Sequence, residues 1–220
     1  MKKLSFATLL AVLVIASCKK NDSSAGLSDK IQNIIADSVV KAFESRGLVV
    51  NRGNKPPVIE GIFLASPLEL LSPYGPDDGY KKGQIVDDIL YNIYDQAGNE
   101  AKIDYKSVTG NNTAEGLGTF ISGSGNKFTL FAQSVGKAYD IPYKLVSVTS
   151  GEIAPDGIKN LQTALVLTEK EGDDLNFRLM PEGKGRIYFD NDKLAVKKNS
   201  YDFSASINGR NNISASMISK

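Results

Sequence analysis

Apolar residues at Ile31, Ile34, Ile35, Val39, Ala42 and Phe43 recur at intervals of three and four, the period of an α-helix with one buried face. Ser28 stands where an N-cap is expected and Gly47 where a helix stops. The spacing predicts a single amphipathic helix over 29–47, with Lys30, Asn33, Asp37, Lys41 and Glu44 on its polar side. Docking on the rest of the chain is the simplest use of its apolar side. A partner helix or a membrane surface are the alternatives, and the mixed charge of the polar side disfavours the membrane.

Past Pro56-Pro57 the period changes to two. In Ala101-Lys102-Ile103-Asp104-Tyr105-Lys106, Ile103 and Tyr105 fall on one side and the charges on the other, as in a half-buried strand. The same reasoning predicts strands over 58–65, 85–94, 101–108, 117–123, 127–134, 143–150, 161–169, 185–190 and 193–197. Gln96-Ala97-Gly98-Asn99, Gly123-Ser124-Gly125-Asn126 and Asp190-Asn191-Asp192 supply residues that tolerate positive φ, and read as hairpin turns. Residues 66–83, rich in Pro, Gly and Asp, read as a long insertion covering one end. Along 198–220, Tyr201, Phe203, Ala205 and Ile207 alternate before Asn208-Gly209, and Ile213, Ala215 and Met217 alternate after it, so this stretch is a final hairpin or a flexible tail. The whole of 56–220 is a mostly β domain, an antiparallel meander closing as a lipocalin-like barrel or stacking as a β-sandwich.

The chain opens with Met1-Lys2-Lys3 and an apolar run from Leu4 to Ala16, shorter than the roughly 20 residues of a membrane span. Residues 1–17 have the form of an export signal. The run ends in Ile15-Ala16-Ser17-Cys18, which resembles the bacterial lipobox: an aliphatic residue, two small ones, then the cysteine that is acylated before cleavage. That resemblance implies cleavage before Cys18, lipidation of Cys18, and membrane attachment through its acyl chains, each buried methylene contributing ~0.8 kcal/mol. Cys18-Lys19-Lys20-Asn21-Asp22 is similar to the start of Bacteroidota lipoproteins. Lys19 stands where enterobacterial lipoproteins retained in the inner membrane usually have Asp, so the resemblance implies the outer membrane, on its periplasmic face or at the cell surface. Residues 18–28 read as a polar tether.

Composition narrows the chemistry. Apolar residues make up 41% of the 220 and charged residues 23%, enough to build a packed domain. There are 26 basic and 25 acidic residues, and loss of Lys2 and Lys3 with the leader brings the mature balance to about −1, far from the basic face that nucleic acid requires. The chain has no histidine and one cysteine. Ser-His-Asp and Cys-His catalysis, His-ligated metals, Cys-rich metal sites and an intrachain disulfide are therefore excluded.

The remaining motifs favour structural readings. Gly116-Leu117-Gly118-Thr119-Phe120-Ile121-Ser122-Gly123 has neither the following helix nor the Lys-Ser/Thr ending of a phosphate loop, and its glycines suit a bulge or a close strand crossing. Asp77-Asp78, Asp87-Asp88, Asp173-Asp174 and Asp190-Asn191-Asp192 lack the calcium-loop spacing: counted from Asp190, the sixth position is Ala195 and the twelfth Tyr201. A histidine-free hydrolase needs two facing carboxylates, and Glu60, Asp104, Glu115 and Glu152 are the acids in or near strands. Tyr74, Tyr80, Tyr91, Tyr94, Tyr105, Tyr139 and Tyr143 either line a pocket or fill the core.

The run Gly116 to Gly125, then Phe128-Thr129-Leu130-Phe131, Ser150-Gly151 and Gly157-Ile158-Lys159-Asn160, resembles uncharacterised Bacteroidota lipoproteins over residues 56–197. The expectation is a lipid-anchored, non-enzymatic envelope protein whose β domain binds a partner protein or ligand. A lipocalin-like carrier of a small hydrophobic molecule and a carboxylate hydrolase are the alternatives. Cys18 is the one site residue expected, by lipidation, with no catalytic, metal or cofactor residues.

Overall fold

The structure, a computed structural model, describes residues 28–109, 111–201 and 217–218. The expected leader, Cys18, the expected tether up to residue 27 and most of the expected 198–220 hairpin lie outside them. The described residues form two short helices, α1 (Asp29–Gln32) and α2 (Asp37–Ser45), and one antiparallel sheet. Its strands are β1 (Gly61–Ala65), β2 (Leu68–Ser72), β3 (Ile85–Val86), β4 (Ile89–Ala97), β5 (Glu100–Ser107), β6 (Asn112–Ser124), β7 (Lys127–Ala138), β8 (Ile141–Ala154), β9 (Gly157–Lys170), β10 (Gly185–Asp190) and β11 (Leu194–Lys198).

Three pairs of these strands are single staves interrupted at one level. Ala65 pairs with Ile89 and Leu68 with Val86 in one unbroken register, so β1 with β2 and β3 with β4 each form one long bent strand. β10 and β11 likewise lie one after the other along β9. The described residues thus make eight staves, each antiparallel to the one before it, and the last returns to the first through β11–β1 and β10–β2. Closure selects the barrel over the sandwich and leaves no sheet edge exposed along the ring.

Period-two alternation places Phe63 and Ala65, Tyr91 and Ile93, Ile103 and Tyr105, Phe128, Leu130 and Ala132, and Leu165 and Leu167 inside, all almost fully buried. A second apolar layer lies outside. Phe131, Val148, Ala164 and Ile187 point outward from β7–β10 and are covered by Ile31, Ile35, Val40, Phe43 and Leu48. The N-terminal segment therefore docks on the barrel. It does so as two helices rather than one, because Ala36 is extended (φ −63°, ψ 139°) and the bend lets Ile31, Ile35, Val40 and Phe43 all reach the curved wall. Asp37 in the first turn of α2, paired to Lys41 at 2.7 Å, is the local signal for the restart.

Arg46 fastens this layer. Its guanidinium donates to Ser72 Oγ and to the carbonyls of Pro73 and Gly185 at 3.0, 2.7 and 2.9 Å and stacks on Phe43. Two other expectations are corrected. The insertion over 66–83 contains β2, whose Leu68 and Leu70 face the core while Leu71 faces the helices, so its apolar run lacks alternation. Asp190-Asn191-Asp192 is not a hairpin: β10 and β11 run in the same direction, and the intervening loop is held by Asn191 N–H on the Pro67 carbonyl, 2.9 Å, and by positive φ at Lys193.

Candidate functional site

One end of the barrel has the short turns after β4, β6 and β8. The other carries the long connections 73–84 and 171–184, and the polar residues of the interior gather there. Arg186 on β10 is 0% exposed. Its Nε donates to Asp78 Oδ2 at 2.8 Å and its Nη2 to Asp78 Oδ1, while the cation lies 4.1 Å from the Tyr80 ring and 5.3 Å from that of Tyr74. Asp78 also accepts the backbone N–H groups of Tyr74 and Tyr80, at 2.8 and 3.0 Å. Burial pushes its carboxyl upward, but the bonds from Arg186, Tyr80 and Tyr74 outweigh that and hold it below the usual carboxylate range. Arg186 Nη1 and the Tyr188 hydroxyl both donate to the carbonyl oxygen of Met217, at 3.2 and 2.6 Å.

At the same end, on β5, β6 and β8, the hydroxyls of Tyr105 and Tyr143 meet at 2.7 Å, and Tyr143 also donates to Asn112 Oδ1 at 2.6 Å. Gly136 faces the Tyr143 ring so closely that a Cβ there would lie 2.7 Å from it, so only glycine fits. A cavity of about 10 Å³ remains beside Tyr91, bounded by Ser134, Ser147, Thr149 and Thr163, about the space of one water molecule.

Where the three bent staves break, acids gather. Asp190, 1% exposed, accepts the Ser66 N–H at 2.9 Å, and Ser66 Oγ donates to Asp88 at 2.6 Å. Asp190 Oδ2 has no hydrogen-bond partner among the described residues. Burial, with the charges of Asp192 and Asp88 nearby, pushes this carboxyl up to about 7. Among the described residues no three metal-ligating side chains converge, and no helix is long and apolar enough to cross a membrane.

The connection 171–184 is built around a second buried pair, Lys170 and Asp173, 2.8 Å apart with each side chain 5% exposed. The Asp173 carboxylate accepts the N–H groups of Phe177, Arg178 and Leu179 at 3.0, 3.2 and 2.9 Å, and Lys170 also reaches Asn176 Oδ1 at 2.7 Å. Burial opposes the ionised form of Asp173, but Lys170 and these N–H groups keep its carboxyl below the usual range. The loop turns Leu179 and Met180 into the core and presents Leu175 and Phe177 to solvent at 70% and 74%.

The residues singled out in the sequence scatter over these places. Tyr80, Tyr91, Tyr105 and Tyr143 are core residues and Tyr74 and Tyr139 pack against the core. Leu117 is the bulged residue in the β6–β7 register, between Gly116 and Gly118, and the glycine run makes no phosphate loop. Asp104 and Glu115 are cross-strand neighbours on β5 and β6, on the convex outer face and not across a cleft. Glu60 accepts Gln96 N–H at 2.6 Å, and Glu152 lies 3.8 Å from Lys127. Arg186, Tyr188 and the Leu175/Phe177 tip carried no signal in the sequence: an isolated Arg in an alternating strand reads as solvent-facing, and an apolar pair in a loop has no period. Comparison with protein families, with curated proteins and with solved structures gives no match.

Proposed function

We propose that this is a lipid-anchored protein of the bacterial outer membrane, tethered through Cys18, whose β domain binds a partner protein without catalysing a reaction. The observation that carries the reading is the 171–184 tip. Exposed large apolar residues on a loop whose backbone is tied down by a buried ion pair are costly in water and preorganised for contact, which lowers the entropy lost on binding. The chemistry of the tip, an aromatic and an aliphatic side chain beside Arg178, is that of an interface anchor. The tight packing of the described interior, with a cavity of about 10 Å³ beside Tyr91, supports contact at the surface over carriage inside, since a drug-sized ligand needs some 300 Å³ or more. The open setting of Asp104 and Glu115 gives a hydrolase little support.

The test places a photo-crosslinking residue at Asp174 in cells. A discrete adduct with one envelope protein, weakened at least tenfold by L175S/F177S while the thermal midpoint is unchanged, is expected. An adduct of equal yield in the double variant contradicts the reading. In the same cells a Cys18→Ala chain is expected in the soluble periplasmic fraction, and its retention in the membrane fraction contradicts the anchor.

A further inference from the structure

Residues Met217 and Ile218 are 2% and 0% exposed and belong to the barrel's main apolar cluster, although no strand pairing ties them to the sheet. What holds them is a set of groups supplied by the barrel and its long connections. The Met217 carbonyl receives two donors, Arg186 Nη1 at 3.2 Å and the Tyr188 hydroxyl at 2.6 Å. The Ile218 carbonyl receives Met180 N–H at 2.7 Å. The Met217 side chain continues inward to the cavity beside Tyr91 and Tyr105.

From this arrangement we infer that the long-loop end of the barrel is a peptide-binding site, occupied in this chain by its own Met217-Ile218 segment. The polar groups define the ligand. Arg186 and Tyr188, two apart on β10, point the same way and converge on one oxygen. Because Asp78 already neutralises Arg186 through two hydrogen bonds, the pair suits a neutral carbonyl acceptor and has no net charge with which to hold a free anion. Met180 N–H adds one main-chain hydrogen bond to the turn at Met217-Ile218, and the apolar walls take one long and one branched aliphatic side chain. The segment acts as an intrachain ligand that completes the barrel's core and shuts this end. The inference goes beyond the proposed surface contact and does not rest on it, because Arg186 and Tyr188 stand on β10 and Met180, although on the same connection as the tip, is buried in the core apart from the exposed Leu175 and Phe177.

Two experiments on residues 19–220, which lack the chain's single cysteine, decide it. In a Met217→Cys variant the new thiol is expected to react with Ellman's reagent at least 100-fold more slowly than in urea, and a rate within a few-fold of the urea control overturns the inference. A chain ended at residue 201 is then mixed with a fluorescent peptide spanning 211–220. The shortened chain is expected to bind the peptide at least tenfold more tightly than the full chain, and Tyr188→Phe to weaken that binding at least fivefold. A folded shortened chain that ignores the peptide, or equal binding by both chains, overturns it. If the shortened chain does not fold, the thiol rate alone is decisive.

Discussion

At the scale of single residues, the interior stores its charge in two opposed ways. Asp78 and Asp173 are buried but so well supplied with donors that they stay ionised. Asp190 is buried with one oxygen unpartnered among the described residues, and its carboxyl is pushed up to about 7. The consequences for stability have opposite signs. The depressed groups stabilise the fold above their ordinary unfolded range, near pH 4, and that contribution is lost as the pH falls. The raised group keeps its proton in the folded state while the unfolded chain releases it, so its contribution is complete below about pH 4 and is lost as the pH rises toward about 7. Unfolding free energy is therefore expected to decline between about pH 4 and 7, by roughly 2 to 4 kcal/mol from Asp190, and Asp190→Asn, which can keep the Ser66 bond, flattens the decline. Urea titrations at several pH values measure this; an identical slope in the variant contradicts the assignment.

Secondary-structure elements divide into those a local pattern reveals and those it hides. β5 alternates cleanly, because one side is core and the other water, and the hairpin turns carry Gly98, Gly125 and Asp156, whereas β7 to β9 hold longer buried runs where their outer side meets the helical layer. β2 is hidden because Leu68, Leu70 and Leu71 serve two different apolar layers. The kink at 191–193 is hidden because Asn and Asp suit any positive-φ turn, and only long-range pairing decides whether the chain reverses. The break between α1 and α2 has no glycine or proline to announce it; it follows from the curvature of the wall beneath. Phe43, 2% exposed against that wall, is expected to be a major anchor of the layer. Phe43→Ala should cost about 3 kcal/mol or more and lower the thermal midpoint of the whole barrel in a single transition. A separate early transition, or no shift, would contradict docking.

At the scale of the whole molecule, the described residues form a closed ring with two apolar layers, one inside it and one between its outer wall and the segment 28–48. Length and alternation make closure or stacking legible, but not the choice between them, since that turns on whether the last stave meets the first. The candidate sites are less legible still. Tyrosine abundance points correctly to an interior cluster, whereas Arg186 becomes visible only once Asp78, Tyr80 and Tyr188 are placed around it. Among the described residues the barrel interior is tightly packed, with a cavity of about 10 Å³ beside Tyr91, and the proposed contact with a partner protein is therefore at the surface tip. The decisive experiment is native mass spectrometry of residues 19–220, exported to the periplasm, purified gently and mixed with an envelope extract. The mass of the bare chain, alone or joined to a partner protein, is expected. A small hydrophobic molecule retained in the barrel would contradict a filled interior.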